Sequence, residues 1–383
     1  MISLYEYSTN WYLNKLRAAK RVLYAQIHLT GRCQYRCSHC YFSELGKKSV
    51  DADFDVIHSR IAGLIGLARK QSRFLRIDFT GGDPLLSPIL PAVLRLCKAN
   101  RIVCGLKCNP DILALSDNLS LANALDGCSS VSLSLDGTEE FHDSLRGRKG
   151  TFELALKALR KANDLGLKTR ISMTISKDNK DMIKEVFSKL AQEDVNVDAF
   201  TFARLWSASL SNSMLGRKDL VECFDSCCSF YSAYLSDPAS YTAYEGMIRP
   251  KIQLAFKEHL WLPYLESRGL INKELVKYAR VATNSLNCSA LHQTVVIDPD
   301  NKLFHCRKIA SARIDDLSLE NLDGANFCSC VNQKYTCRSC INRNVCFGCP
   351  AVDEIMETEK SRNRCPFYCS VKQTHHRPQS DES

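Results

Sequence analysis

A partial (β/α)6 barrel of the TIM type, followed by a C-terminal cysteine-rich domain, is the fold the sequence predicts. Three observations carry this α/β reading. Six short β-rich runs alternate with longer stretches of helical periodicity over residues 22–210. A tight group of cysteines, "GRCQYRCSHC", begins directly after the first of these runs. Beyond residue 286 the periodicity fades while ten further cysteines appear, as in a segment held by metal rather than by an apolar core.

The elements follow in order. "VLYAQIHL" (22–29) reads as a strand and "FDVIHSRIAGLIGLARK" (54–70) as a helix with apolar residues at helical spacing. "FLRIDF" (74–79) is a strand, and "PILPAVLRLCKAN" (88–100) a helix. "RIVCGLK" (101–107) and "DILALSDNLSLANAL" (111–125) repeat the pair, as do "VSLSL" (131–135) and "TFELALKALRKANDLG" (151–166). "LKTRISMTI" (167–175), the helix 179–193 and "VDAFTFARL" (197–205) complete six repeats at barrel-like spacing. Residues 1–21 form an N-terminal segment, 22–210 the barrel, 211–285 a helical linker, 286–370 the cysteine-rich domain and 371–383 a disordered tail.

Composition narrows the function. No run of about 18 apolar residues is present, so no membrane partner is expected. The first thirty residues lack a signal-peptide pattern, which points to a cytoplasmic protein. Twenty cysteines in such a chain favour metal over disulfides. The net charge of +9 is spread without a basic block, so no nucleic-acid partner is expected. Cys97, Cys104, Cys128, Cys223, Cys227 and Cys228 lie on expected strands and helices and read as buried thiols.

Cys33, Cys37 and Cys40 have the spacing C-x3-C-x2-C at the C-terminal end of the first strand, where barrel chemistry sits. Cysteine thiolates hold iron–sulfur clusters, usually four at a time. Three leave one iron open for a ligand bearing an amine and a carboxylate. Three cysteines plus His39 would make a closed zinc site, but His39 lies between two of them, and adjacent ligands rarely close one tetrahedron.

This run resembles the radical S-adenosylmethionine (SAM) superfamily. The resemblance implies a [4Fe-4S] cluster on the three cysteines whose open iron chelates SAM. It also implies reductive cleavage of SAM to a 5'-deoxyadenosyl radical that abstracts hydrogen from substrate. "TGGDP" (80–84) is similar to the family's GGEP motif, with Asp83 in place of the usual Glu. "KCNPDIL" (107–113) is similar to its TNG-x-L-L segment, keeping Asn109 but placing Cys108 and Pro110 where Thr and Gly stand. "VSLSLDGTEEFHDSLRGRKGTF" (131–152) resembles S-x-D-G followed by H-D-x-x-R-G and G-x-F. By these matches SAM is contacted by His39, Gly81, Gly82, Asp83, Pro84, Asn109, Ser134 and Arg146. Asp136 and His142 match as well, and Arg204 at the sixth strand's end is expected to face the same site.

The C-terminal region resembles the SPASM extension of such enzymes, which holds two auxiliary [4Fe-4S] clusters, making three in all. The resemblance assigns Cys288, Cys306 and Cys349 to the first auxiliary cluster, and Cys337, Cys340, Cys346 and Cys365 to the second. Where sulfatase-maturating relatives have a further cysteine and an acid, this chain has Thr294 and Arg307. Cys328 and Cys330 are then candidate extra ligands for the first cluster. Asp136, Arg204 and Arg307 are the catalytic candidates. The layout resembles maturases of ribosomally synthesised peptides, implying a precursor-peptide substrate and a flavodoxin- or ferredoxin-type reducing partner. An oxidative side-chain cross-link, a cyclophane or thioether, is the expected product. Peptide epimerisation, a small-molecule dehydrogenase or epimerase, and sulfatase maturation are the alternatives. Only about 20 residues precede the first strand, so the leader is expected to bind the barrel and SPASM surface or a separate partner.

Overall fold

The structure, a computed structural model, describes residues 1–44, 50–207, 209–244, 246–256, 261–282, 294–306 and 313–317. Its strands are β1 (Val22–Thr30), β2 (Phe74–Gly81), β3 (Val103–Lys107), β4 (Cys128–Ser134), β5 (Lys168–Ile175), β6 (Val197–Arg204), β7 (Tyr241–Tyr244), β8 (Met247–Pro250), β9 (Ile252–Ala255), β10 (Thr294–Ile297), β11 (Leu303–Phe304) and β12 (Arg313–Ile314). All but β7 and β8 form one sheet in the order β12-β11-β10-β1-β2-β3-β4-β5-β6-β9. The six expected strands are all present, neighbouring and parallel. β9 adds to β6 and β10 to β1, both parallel, while β11 and β12 turn antiparallel at one edge.

Strict alternation along the strands divides the sheet into two unlike faces. One face carries Leu23, Ala25, Ile27 and Leu29 of β1, Leu75, Ile77 and Phe79 of β2, and Val131 and Leu133 of β4, all buried. It continues through Ile171 and Met173 of β5 to Phe200 and Phe202 of β6. Helices Phe54–Lys70, Leu90–Ala99, Thr151–Asp164 and Ile183–Gln192 contribute apolar stripes to the same core, among them Leu64, Val93, Leu159 and Phe187. Truncating one such side chain to alanine costs about 2–5 kcal/mol. The other face is polar throughout: Tyr24, Gln26, His28 and Thr30, then Arg76, Asp78 and Thr80, Gly105 and Lys107, Ser130, Ser132 and Ser134, Arg170, Ser172 and Thr174. A parallel strand buried on both faces reads as a continuous apolar run. "YAQIHLT", "LRIDFT" and "SVSLS" do not, and this marks the second face as a ligand-holding lumen.

Some elements differ from expectation. Residues 1–21, given no element from sequence, contain the helix Leu4–Arg21, started by a capping box between Ser3 and Glu6. The stretch 111–125 is two helices, Asp111–Leu115 and Asn118–Ala124, because the Asp117 side chain accepts from Ser120 N at 2.8 Å and starts a new helix. Residues 211–285 hold the helices Arg217–Ser236, Trp261–Ser267 and Lys273–Ala282, but also β7, β8 and β9, so the stretch is not helical throughout. β10, in the segment read as part of a separate cysteine-rich domain, extends the barrel sheet beside β1. Five of the six thiols expected to be buried are so, and Cys128 is half-buried.

Candidate active site

The three cysteines sit on the loop after β1, and two other motifs clamp that loop. Gly82 N donates to Thr30 O at 2.8 Å, and Asp83 N to Arg32 O at 2.7 Å. The approach is so close that a Cβ on Gly81 would lie 2.1 Å from Thr30 O, and one on Gly82 2.0 Å from Arg32 O. Gly81 also holds φ +136°, a conformation that side chains disfavour. The pair of glycines in "TGGDP" therefore lets two backbones touch under the cysteine loop. From the other side, Ser38 N donates to Leu145 O at 3.1 Å, in the helix Glu139–Arg146. Arg32 adds a hydrogen bond to Leu86 O at 2.6 Å and a salt bridge to Asp51 at 3.0 Å.

Two thiols receive donors. Cys33 Sγ accepts from Tyr35 N at 3.4 Å and from Asn109 Nδ2 at 3.3 Å. Cys37 Sγ accepts from Arg146 Nη1 at 3.7 Å. Burial pushes both thiols above their ordinary pKa, while these donors and the Arg146 charge act the other way. Asn109 comes from the loop after β3 and Arg146 from the helix after β4, so three βα loops converge on the sulfurs.

Arg146 is held in turn by Asp136. Its Nε donates to Asp136 Oδ2 at 2.8 Å, and its Nη2 bonds the same oxygen. Asp136 Oδ1 accepts from Thr174 N at 2.8 Å. Asp136 has no exposed surface, and burial pushes its carboxyl up, yet the charge of Arg146 holds it well below the usual carboxylate range. Asp136 N donates to His142 Nδ1 at 3.1 Å. That acceptor role leaves the ring proton on Nε2 and makes the Nδ1 to Oδ2 distance of 3.4 Å a contact rather than an ion pair. Asn179 Nδ2 ties Asp136 O, at 2.6 Å, to Thr174 O, at 2.8 Å. Asp136 is thus enclosed as the brace of Arg146, and is not placed to reach a substrate as the sequence reading allowed. Arg146 donates to Asp136 and to Cys37.

Asp83 is also without exposed surface. Its Oδ2 accepts from Gln34 Nε2 at 2.7 Å and its Oδ1 from Leu85 N at 3.2 Å, capping the turn Pro84–Leu86. Burial pushes its pKa up to about 6. Gln34 belongs to the cysteine loop, so the carboxylate and the cluster loop are joined by one hydrogen bond.

His39 lines a cavity of about 210 Å³ with Ser38, Leu145, Thr174, Ser176 and Leu205. Ser134 ends β4 on the polar face, and Pro84 is buried. Arg204 pairs with Ile175 on the row of Phe200 and Phe202, off the polar row of Thr201 and Ala203, so the register does not turn it toward the lumen as expected. Cys306 is half-buried at the end of the segment carrying β11. Cys288, Arg307, Cys328, Cys330, Cys337, Cys340, Cys346, Cys349 and Cys365 lie outside the described residues. Gln34 and Asn179 carried no sequence signal, because each acts through a partner many residues away.

Residues 27–190 match the Radical SAM superfamily. The chain carries a radical SAM domain. The match runs from within β1 through β5 and takes in Cys33, Cys37, Cys40, Gly81, Gly82, Asp83, Asn109, Asp136 and Arg146. AlbA, the antilisterial bacteriocin subtilosin biosynthesis protein of Bacillus subtilis strain 168, is 28% identical over 193 residues, 47% of this chain and 39% of its own length. The Fe-coproporphyrin III synthase of Methanosarcina barkeri is 29% identical over 169 residues, 44% of this chain and 41% of its own. The chain thus spans less than half the length of these two relatives. Among solved structures, Streptococcus suis SuiB bound to precursor peptide SuiA superposes with a TM-score of 0.63 at 17% identity, covering 94% of this chain and 78% of that one. Native anSMEcpe with bound AdoMet gives 0.64 at 16%, covering 91% and 94%. At such identities the agreement is one of fold.

The radical SAM domain implies SAM and a [4Fe-4S] cluster, and the donor set fits them. Three thiols share one loop, and two of them have N–H partners that favour thiolate. Among the described residues no three His, Cys, Asp or Glu side chains converge on a single-ion site, the arrangement that mononuclear zinc would need. A cubane takes each sulfur on a different iron. Among the described residues no helix is long and apolar enough to cross a membrane.

Proposed function

We propose that this chain is a peptide-maturing radical SAM enzyme of the SPASM type, acting on a ribosomally synthesised precursor peptide. The observation that carries it is the clamped three-thiol loop at the mouth of a polar lumen, in a chain whose relatives include a bacteriocin biosynthesis protein. The family of the sporulation killing factor maturation protein SkfB, 27% identical over 202 residues, points the same way. When bound, the cluster and SAM supply one-electron cleavage of the sulfonium and a carbon radical able to take a hydrogen atom from substrate. The residues of this chain bind, brace and exclude water. Cys33, Cys37 and Cys40 hold the cluster. Asn109 and Arg146 donate to the sulfurs. Asp83, whose carboxylate is held by Gln34 Nε2, would offer its charge to the SAM ammonium. His39 and Ser134 line the SAM pocket. The product we favour is an oxidative cross-link between side chains; auxiliary clusters held by the C-terminal cysteines would supply the acceptor for the second electron.

The tetrapyrrole synthases among the relatives favour a second reading, a small-molecule radical SAM enzyme. Anaerobic reconstitution with SAM, a reductant and the short peptide encoded beside the gene separates the two. A two-dalton loss on the peptide supports cross-linking. Deuterium uptake at unchanged mass supports epimerisation. An unmodified peptide with 5'-deoxyadenosine formed supports the small-molecule reading. Iron near twelve atoms per chain accompanies three cubanes, and about four would remove the auxiliary clusters.

The pKa of Asp83 gives a pH signature. Protonation removes the charge that attracts the ammonium, so SAM affinity falls as pH drops through about 6. At pH 5.5 SAM should bind about fourfold more weakly than at pH 7.5. Stability runs the opposite way for this group, since its folded pKa lies above the unfolded value and ionisation costs free energy in the buried site. Calorimetric titration of SAM at the two pH values checks this, with Asp83→Asn expected to bind weakly and independently of pH.

A further inference from the structure

Below the cysteine loop, the described residues place three cations, Arg76, Lys107 and Arg170, around the carboxylate of Asp78. Lys107, Ser132 and Arg170 form one cross-strand row on the polar face of β3, β4 and β5. Arg76 and Asp78 share that face on β2, since Gly105 between them and Ser130 lacks the side chain that would separate them. Asp78 is already saturated. It accepts from Tyr24 Oη at 2.7 Å and Arg76 Nη2 at 2.9 Å, and Lys107 Nζ stands 3.3 Å away. Although burial pushes the Asp78 carboxyl up, Lys107 and Arg76 hold it well below the usual range, so it stays ionised and fully shared. Arg76 Nη2 also reaches Ser130 Oγ at 3.1 Å.

Arg170 differs: among the described residues no hydrogen bond or ion pair reaches its guanidinium, and it is only partly exposed. The other nearby carboxylate, Asp198, is bound to Arg249 Nη1 at 2.7 Å and to Thr169 N at 2.8 Å. Burial and the like charge of Arg76 pull the pKa of Arg170 below its ordinary value. Asp78 and Asp198 act on Arg170 only at a distance, since each is hydrogen-bonded to other groups, so its guanidinium donors remain open to a carboxylate that pairs with them directly. Lys107 stands two residues before Asn109, the donor to Cys33, so the row lies roughly 7 Å along the strand below the cluster loop.

We infer that Arg170, with Lys107 and Ser132 beside it, is a binding site for a carboxylate of the substrate, which anchors the substrate in the lumen beneath the SAM site. The guanidinium fork fits the two oxygens of a carboxylate. The inference rests on reading the lumen as the substrate chamber of a radical SAM enzyme. The carboxylate has three possible sources: an acidic side chain of a peptide, a peptide C-terminus, or a small organic acid.

The test uses anaerobically reconstituted holoenzyme with SAM, titrated calorimetrically with glutarate and with the neutral isostere glutaramide. Glutarate is expected to bind at least about tenfold more tightly than glutaramide, the scale of a charge-assisted hydrogen bond. Arg170→Gln should lose about tenfold in glutarate affinity, while Arg170→Lys recovers part of it. Both variants should melt no lower than the parent, since no bond is removed. Equal binding of glutarate and glutaramide, no glutarate binding, or undiminished binding by Arg170→Gln overturns the site. Competition then separates the sources. A capped peptide with one internal Glu displaces glutarate if the side chain is recognised, and an acid-free peptide with a free C-terminus does so if the terminus is. Displacement by neither assigns the site to small acids. Loss of 5'-deoxyadenosine formation in the parent enzyme would defeat the radical SAM reading and leave the glutarate result standing.

Discussion

Gly82→Ala is expected to deprive the chain of its SAM cluster while leaving Cys33, Cys37 and Cys40 in place. The new Cβ would lie 2.0 Å from Arg32 O and 2.8 Å from Gly31 O, which are backbone atoms with no rotamer to escape through. Relief requires that the cysteine loop move away from β2. That breaks the hydrogen bonds from Gly82 N to Thr30 O and from Asp83 N to Arg32 O, at 2.8 and 2.7 Å. Overpacking of this kind costs about 1–3 kcal/mol, and two backbone bonds add to it. The larger consequence is chemical. Asp83 and Gln34 separate with the loop, and so do Asn109 and Cys33. Iron per chain after reconstitution should fall by about four atoms. SAM cleavage should drop by more than about 100-fold, beyond the loss typical of removing an outer partner of a metal ligand. Iron analysis and 5'-deoxyadenosine assay read both. Full iron with normal cleavage would show that the close approach is not needed.

The second large effect is expected at Arg146. Arg146→Ala leaves the Asp136 carboxylate fully buried beside a vacant space, with only Thr174 N and the His142 side still in contact. Removing one partner of a buried pair costs about 3–5 kcal/mol. At two to four degrees per kcal/mol for a domain of this size, the melting temperature should fall by roughly 10 °C. Cys37 also loses its donor, so its thiol rises and cluster loading becomes slower at neutral pH. Asp136→Asn on the same background should restore most of the stability but not the loading rate, because it removes the orphaned charge and leaves Cys37 without a guanidinium. A double variant as unstable as Arg146→Ala alone would mean that the pair is not the source of the loss.

Much of this architecture was legible in the chain. The six strands came from β-branched runs separated by helical periodicity, and parallel order from the helices between them. The cysteine loop and "TGGDP" were visible because chemistry fixes their spacing. What "TGGDP" does was only half legible. Its glycines were expected to contact SAM, but their close backbone approach is to the chain's own cysteine loop. The split of 111–125 lay in one capping residue, Asp117, easily absorbed into a helical pattern. β9 and β10 were missed because four residues inside long polar or cysteine-rich stretches give too short a period, and pairing with β6 and β1 supplies what local propensity lacks. The brace on Arg146 was legible only in the shared motif of Asp136, His142 and Arg146, not in its outer partners. Thr174 of β5 and Asn179 just beyond it meet Asp136 only in the folded chain.

The account's central claim is that this loop, so held, makes a radical SAM site. Purified and reconstituted without oxygen, then given SAM and a strong one-electron reductant such as dithionite, the enzyme should release 5'-deoxyadenosine and methionine, and Cys37→Ala should not. Iron-loaded, SAM-binding enzyme that yields no 5'-deoxyadenosine under any reductant would contradict it.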